Sequence, residues 1–284
     1  MHAYLIIAHN NFSILKKLIQ MLDHVCNDIY IHIDKNVNDF DFDYYESIPS
    51  KARVYFTERI HISWGDYSMV NAEYILLKKA HENQINYNYY HLISGVDLPL
   101  KTADELVEFF GDAYPKEFVH FAKNMNSIEL SRIKHFHFFP GRRNLFNRLM
   151  TKAEQIIQTL VGVNRVKNIK VARGSQWFSI TDDFVQYLID NEMNIKKQLK
   201  FTFIPDEFFV QLAAVNSPFS NNLYCNRFDD SNEQNMRYID WKRGNPYTFN
   251  EADFDEIMNS GCLFVRKLTE DNKLPDMIFR KIIK

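Results

Sequence analysis

Two adjacent carboxylates, Asp206 and Glu207, stand in the stretch FTFIPDEFFVQ (residues 201–211), behind a proline and among four phenylalanines. Burying an ionised carboxylate is costly unless it is paired, hydrogen-bonded or able to take up a proton. Such a pair is therefore either a structural helix cap or a catalytic base. Three further polar residues, His9, Asp34 and Asp97, follow the short apolar runs AYLIIA, DIYIHI and YYHLIS. In open α/β sheets ligands bind outside the carboxyl ends of the strands, so these positions outline a nucleotide crevice. Neither GxxxxGK[ST] nor GxGxxG is present, which argues against a P-loop enzyme and a dinucleotide dehydrogenase.

The elements that would position these groups are legible as periodicity. AYLIIA, a helix-like NFSILKKLIQMLDHVC with apolar residues at Phe12, Leu15, Leu18, Ile19, Leu22 and Val25, and DIYIHID form a βαβ unit. ARVYF, SMVNAEYILLKKAHEN and YYHLIS continue the alternation, which favours a parallel sheet with helices on its faces. Thr102 and Glu105 have capping-box spacing and start a helix near Ala103. With no repeat, low-complexity tract or Gly/Ser linker, one domain over residues 1–284 is expected: a nucleotide-binding half, 1–110, and an acceptor-binding half, 111–284. A hydrophobic content of 46% over 284 residues suffices for a sizeable core. A net charge of -2 gives no general case for nucleic acid, and no apolar run reaches the length of a membrane span. The three cysteines, Cys26, Cys225 and Cys262, have neither zinc-site nor disulfide spacing. With no export signal at MHAYLIIAHN, a cytoplasmic protein is expected.

A metal-dependent nucleotide-sugar enzyme of this architecture would carry an Asp-X-Asp pair after a strand. A literal match, Asp41 to Asp43, falls in the acidic segment KNVNDFDFDYYES and reads as a solvated loop, so no metal site is expected. Fixed cations would then have to take the metal's place. WKRGNPYTF and CLFVRKLTED offer them.

The segments AYLIIAHNNFSILKKLIQML, IYIHIDKN, ISWGDYSMVNAEYILL, HLISGVDLPLKT, GSQWFSIT, IPDEFFVQ and MRYIDW occur in that order. The series resembles the successive motifs of glycosyltransferase family 14, the core-2/I-branching β-1,6-N-acetylglucosaminyltransferases and peptide O-xylosyltransferases. The resemblance runs from residue 3 to about residue 270 and implies an α/β fold of the GT-A type, with a Rossmann-like, mostly parallel sheet. It also implies inverting transfer from a UDP-sugar to an acceptor hydroxyl, with no metal and no other cofactor.

On that resemblance, Glu207 matches the family's catalytic base, which takes the proton of the attacking hydroxyl. Asp206 caps or orients the turn beside the bound sugars. Arg243 and Lys267 match the cations that stabilise the departing diphosphate, with Arg266 the alternative to Arg243. Asp34 matches the uridine-binding aspartate, with His9 and the loop carrying Trp64 and Gly65 beside the nucleotide. Asp97, Arg132, Trp177 and Trp241 fall at positions resembling the donor and acceptor sugar surfaces, although a tryptophan such as Trp177 equally suits core packing.

The chain lacks the membrane anchor, stem and disulfide cysteines of the eukaryotic relatives, and so reads as a bare catalytic domain of a bacterial surface-polysaccharide pathway. The expected donor is UDP-GlcNAc, with UDP-xylose, glucose, galactose or galactofuranose as alternatives. The expected acceptor is a glycan, in one version carried on a polyprenyl diphosphate. A nucleotide-sugar hydrolase and a non-catalytic carbohydrate- or membrane-binding module are the other function classes. Residues 132–173 contain ten Lys and Arg (132, 134, 142, 143, 148, 152, 165, 167, 170 and 173) against one acid, Glu154. This basic amphipathic segment is expected either to bind an anionic membrane at the inner face of the plasma membrane or to grip an acceptor diphosphate.

Overall fold

The computed structural model describes residues 1–83, 85–138 and 145–283, the side chains of 145–148 excepted. The chain begins with β1 (His2–Ala8), α1 (Phe12–Met21) and β2 (Asn27–Ile33), both strands buried along their whole length. Such runs belong in the middle of a sheet covered on both faces. A short α2 (Phe42–Glu46), β3 (Arg53–Phe56), α3 (Ser68–Glu82), β4 (Tyr89–Ser94) and a two-residue β5 (Leu98–Pro99) follow. Next come α4 (Ala103–Ala113), β6 (Phe118–Val119), α5 (Ser127–Lys134), α6 (Leu145–Leu160), β7 (Phe178–Thr181), α7 (Asp182–Asp190) and α8 (Glu192–Leu199). The chain closes with α9 (Phe209–Val215), β8 (Arg237–Ile239), α10 (Phe254–Met258), β9 (Phe264–Arg266) and α11 (Leu274–Ile282).

The main sheet has the order β3-β2-β1-β4-β7-β6, with β3, β2, β1 and β4 parallel and β7 antiparallel to both its neighbours. Helices cover both faces: α3, α7 and α9 pack with Leu5, Leu92 and Ile180 on one side, and α1, α4 and α11 with Ile6, Ile31 and Ile93 on the other. The predicted α/β class and mostly parallel sheet are therefore present. The capping box starts α4 as its spacing requires, Thr102 Oγ1 accepting from Glu105 N–H and the Glu105 carboxylate from Thr102 N–H. Val25 is not on α1's buried face. The helix stops at Met21, the chain turns at His24 to enter β2, and Val25 is exposed. Asp41 is a cap rather than a loose loop residue, accepting from Tyr44 N–H at the start of α2. No helix among the described residues is long and apolar enough to cross a membrane.

A small second sheet, β5-β9-β8, sits at the carboxyl end of β4. Its antiparallel register pairs Leu98 with Val265, which sets Asp97 beside Arg266. On the other side, Arg173–Trp177 crosses beneath the 205–207 turn. A Cβ on Gly174 would stand 1.8 Å from the His120 carbonyl oxygen, so only glycine fits. Gly174→Ala is expected to cost at least about 3 kcal/mol, because a backbone carbonyl cannot yield as a side chain can. Gly111, inside α4 with open space around it, is the control: Gly111→Ala should stabilise by about 1 kcal/mol. Urea unfolding midpoints of the two variants check both signs.

Candidate active site

The carboxyl ends of β1, β2 and β4 carry His9, Asp34 and Asp97 to one edge of the sheet. Asp34 is buried, its carboxylate accepting from Asn36 N–H at 2.8 Å and Ile62 N–H at 3.2 Å. His9 reaches solvent but is partly desolvated, which lowers its pKa; Asp34 opposes that shift, while the charges of Lys267 and Arg266 reinforce it. Asp97 is buried at a tight turn, accepting from Ser94 N–H at 2.9 Å and from Arg266 Nη1 at 2.8 Å. The Arg266 guanidinium lies 4.3 Å over the Trp177 ring. Trp177 is thus buried with a cation across it, and core packing accounts for it. Lys267 follows directly, its backbone carbonyl held by Phe249 N–H.

Glu207 ends a 3-10 turn, Pro205–Glu207, rather than opening an α-helix. Its carboxylate receives Arg132 Nη2 at 2.9 Å and Arg173 Nη1 at 3.2 Å, both on Oε2. Among the described residues Oε1 accepts no hydrogen bond, so both guanidinium contacts fall on one oxygen of the carboxylate. Arg132 also donates to the carbonyls of Phe203 and Ile204, which makes it a clamp on the turn as well as on the carboxylate. Arg173 is fixed from behind by Glu129 at 2.7 Å, the same residue that completes the capping box of α5. The Gly174 N–H donates to the Glu207 carbonyl at 2.9 Å. Arg173, Glu129 and the buried Glu73 escape the sequence reading. Arg173 is one of ten cations in its segment, and nothing local marks it out.

Trp64 and Gly65 stand against this turn. Gly65, at φ 79°, accepts from Ile204 N–H at 3.0 Å, and Trp64 meets the Phe203 ring edge-on. Asp206 does not cap. The position before Pro205 belongs to Ile204 in a left-handed conformation with no side-chain cap, and Asp206 points into the protein beside Glu73. Burial, then the neighbouring Glu207, pushes Asp206 up to about 7. Glu73, fully buried, is raised well above the carboxylate range by burial and by Asp206, with Gln176 donating to its Oε1 at 3.0 Å. Arg243 is not brought to this edge as a free cation. Its guanidinium is ringed by Asp240, by Asp253 at 2.6 Å and by Glu256 at 3.1 Å, so its charge is already balanced. Trp241, next to it in sequence, is exposed. Among the described residues no three His, Cys, Asp or Glu side chains cluster to hold a metal ion.

The raised Asp206 sets a pH dependence of stability with an unusual sign. Between about pH 4 and pH 7 the folded state keeps a proton that the unfolded chain has released, so stability falls as pH rises, by up to about 1.4 kcal/mol per pH unit, and levels above. Asp206→Asn should remove that part of the slope, gaining on the wild type from pH 4 to pH 7 and holding a constant advantage near pH 8. Parallel unfolding curves for the two proteins across that range would contradict the assignment.

The family model described as "Core-2/I-Branching enzyme" matches residues 2–259. Rat xylosyltransferase 2 is 25% identical over 286 residues, covering 93% of this chain and 31% of that protein; human xylosyltransferase 1 is 22% identical over 282 residues, covering 93% and 28%. The chain therefore spans about a third of the length of these curated relatives. Among solved structures, apo mouse xyloside xylosyltransferase 1 aligns at a TM-score of 0.40 and 8% identity, over 93% of this chain and 97% of that one. Core-mannan synthase A from Aspergillus fumigatus aligns at 0.42 and 11%, over 78% and 71%. With nine-tenths of its length inside the family match and its fold of the class the motifs imply, the chain belongs to the Core-2/I-branching enzyme family of glycosyltransferases.

Proposed function

We propose that the protein is an inverting glycosyltransferase that moves a sugar, GlcNAc from UDP-GlcNAc, in β linkage to a hydroxyl of a glycan acceptor, without a metal. The observation that carries the reading is Glu207: a carboxylate with Oε2 fixed by two guanidinium groups and Oε1 open, joined through Arg173–Trp177 to the cations Arg266 and Lys267. Oε1 accepts the proton of the acceptor hydroxyl as that oxygen bonds to the anomeric carbon. The bond from the anomeric carbon to the diphosphate oxygen breaks on the opposite face, inverting the centre and releasing UDP. The leaving diphosphate gains negative charge in the transition state, and Lys267 with Arg266 stabilises it there. Arg266, paired with the single carboxylate of Asp97, suits this role better than Arg243, which three carboxylates surround. Asp34 and His9 hold the nucleotide, and the exposed Trp241 offers a face to an acceptor sugar. The biological setting we propose is bacterial surface-polysaccharide synthesis on a polyprenyl-diphosphate-linked acceptor, at the inner face of the plasma membrane.

Glu207→Gln should keep UDP-GlcNAc binding, followed by saturation-transfer NMR, and lower turnover at least about a hundredfold, the range for losing a general base. Near wild-type turnover in the folded variant would sink the assignment of Glu207. EDTA should leave transfer unchanged, whereas Lys267→Ala should weaken UDP binding and slow turnover together, since that cation acts on ground state and transition state alike. Activity lost in EDTA and restored by Mn²⁺ would refute metal independence. Steady UDP release with no acceptor present would identify a hydrolase instead.

A further inference from the structure

Helix α6 is mounted with its polar side inward. Its apolar residues Leu149, Ala153, Ile156, Ile157 and Leu160 recur at helical spacing and form one stripe. All are exposed, Leu160 at 81% of its surface. The opposite side carries Glu154 and Gln158. Gln158 is 8% exposed and grips the Phe136 backbone in both directions, accepting from its N–H at 2.7 Å and donating to its carbonyl at 2.9 Å. The Glu154 carboxylate turns in to Phe138 N–H, with Oε2 buried. A surface helix of a globular protein ordinarily buries its apolar stripe, so this orientation leaves a face that water disfavours.

We infer that this stripe is a docking face for an anionic lipid bilayer, with α6 lying in the plane of the headgroups. The charge around it selects that occupant. Glu154, the one acid between Arg132 and Arg173, is withdrawn from the exposed side, while Lys152 on the helix and Lys167 and Lys170 just beyond it are exposed. A second copy would bring another basic segment against the first and be repelled, whereas anionic headgroups complement the lysines as the acyl region receives the leucine and isoleucines. Arg142 and Arg143, which the sequence also offers for this role, lie outside the described residues, and of Arg148 only the helical backbone is described. The biological sense of a membrane here rests on the proposed lipid-linked acceptor. The docking face itself does not, and its test uses neither donor nor acceptor.

The protein is sedimented with phosphatidylcholine vesicles, with and without phosphatidylglycerol. Binding to the anionic vesicles at low salt should exceed binding to neutral ones at least about tenfold and be released at high salt. Ile156→Glu combined with Leu160→Glu should abolish binding with an unchanged thermal unfolding midpoint, because both side chains are already in water. Lys152→Glu alone should weaken binding by about tenfold. Equal binding to both vesicle types, or none to either, overturns the proposal. So does a dimer in solution that the double variant dissociates, or a double variant that fails to fold, since each shows the stripe covered by protein.

Discussion

Gly174 is pressed so closely against the carbonyl of His120 that no side chain could stand there, and its N–H closes on the carbonyl of Glu207. That contact locks the short run Arg173–Trp177, and most of the site hangs on it. At one end Arg173 reaches the Glu207 carboxylate; in the middle Gln176 donates to Glu73; at the other end Trp177 lies under Arg266. Beneath the run, Gln211 from α9 donates to the carbonyls of both His120 and Ser175, so the segment is pinned from the core as well. A shift here would move the carboxylate and the cation together.

The loop between β3 and α3 ties the two halves of the site in a similar way. Its Ile62 N–H donates to Asp34, and three residues on the Gly65 carbonyl receives the N–H of Ile204, at the mouth of the Glu207 turn. Gly65 adopts a positive φ and passes so close to the Phe203 ring that a Cβ would meet it at 2.7 Å. Trp64 and Gly65 therefore brace the turn mechanically, whatever else the loop touches.

What the sequence discloses and what it hides divide along the range of the interactions. The strands, the order of the βα units and the start of α4 are visible because each rests on residues within one turn or one strand of one another, as Thr102 and Glu105 are. Arg243 misleads because two of the carboxylates that balance it, Asp253 and Glu256, arrive ten and thirteen residues later, in a turn and a short helix. Asp206 misleads because a proline-led turn suggests a cap, and only the left-handed Ile204 before it turns the side chain inward toward Glu73. The amphipathic character of α6 is plain from its spacing. Which side faces water is decided by Gln158 and the Phe136 backbone, a pairing across 22 residues that periodicity cannot register.

The distribution of charge follows a physical logic that ties these parts together. Arg132 and Arg173 both approach Oε2 of Glu207, so the carboxylate is held from one side and presents a single direction to anything that binds at Oε1. Asp206 and Glu73 beside it are pushed toward their neutral forms by burial, so the two guanidinium groups, which already serve Glu207 and Glu129, meet fewer competing carboxylate charges. Arg266 and Lys267 lie at the far end of a five-residue segment, and the Cα atoms of its ends can be no more than about 14 Å apart even when fully extended. That bound is of the size of one sugar and its diphosphate. On the proposed reading, an inverting displacement requires the acceptor oxygen, the anomeric carbon and the leaving phosphate oxygen to lie on one line, with Oε1 at one end and the two cations at the other.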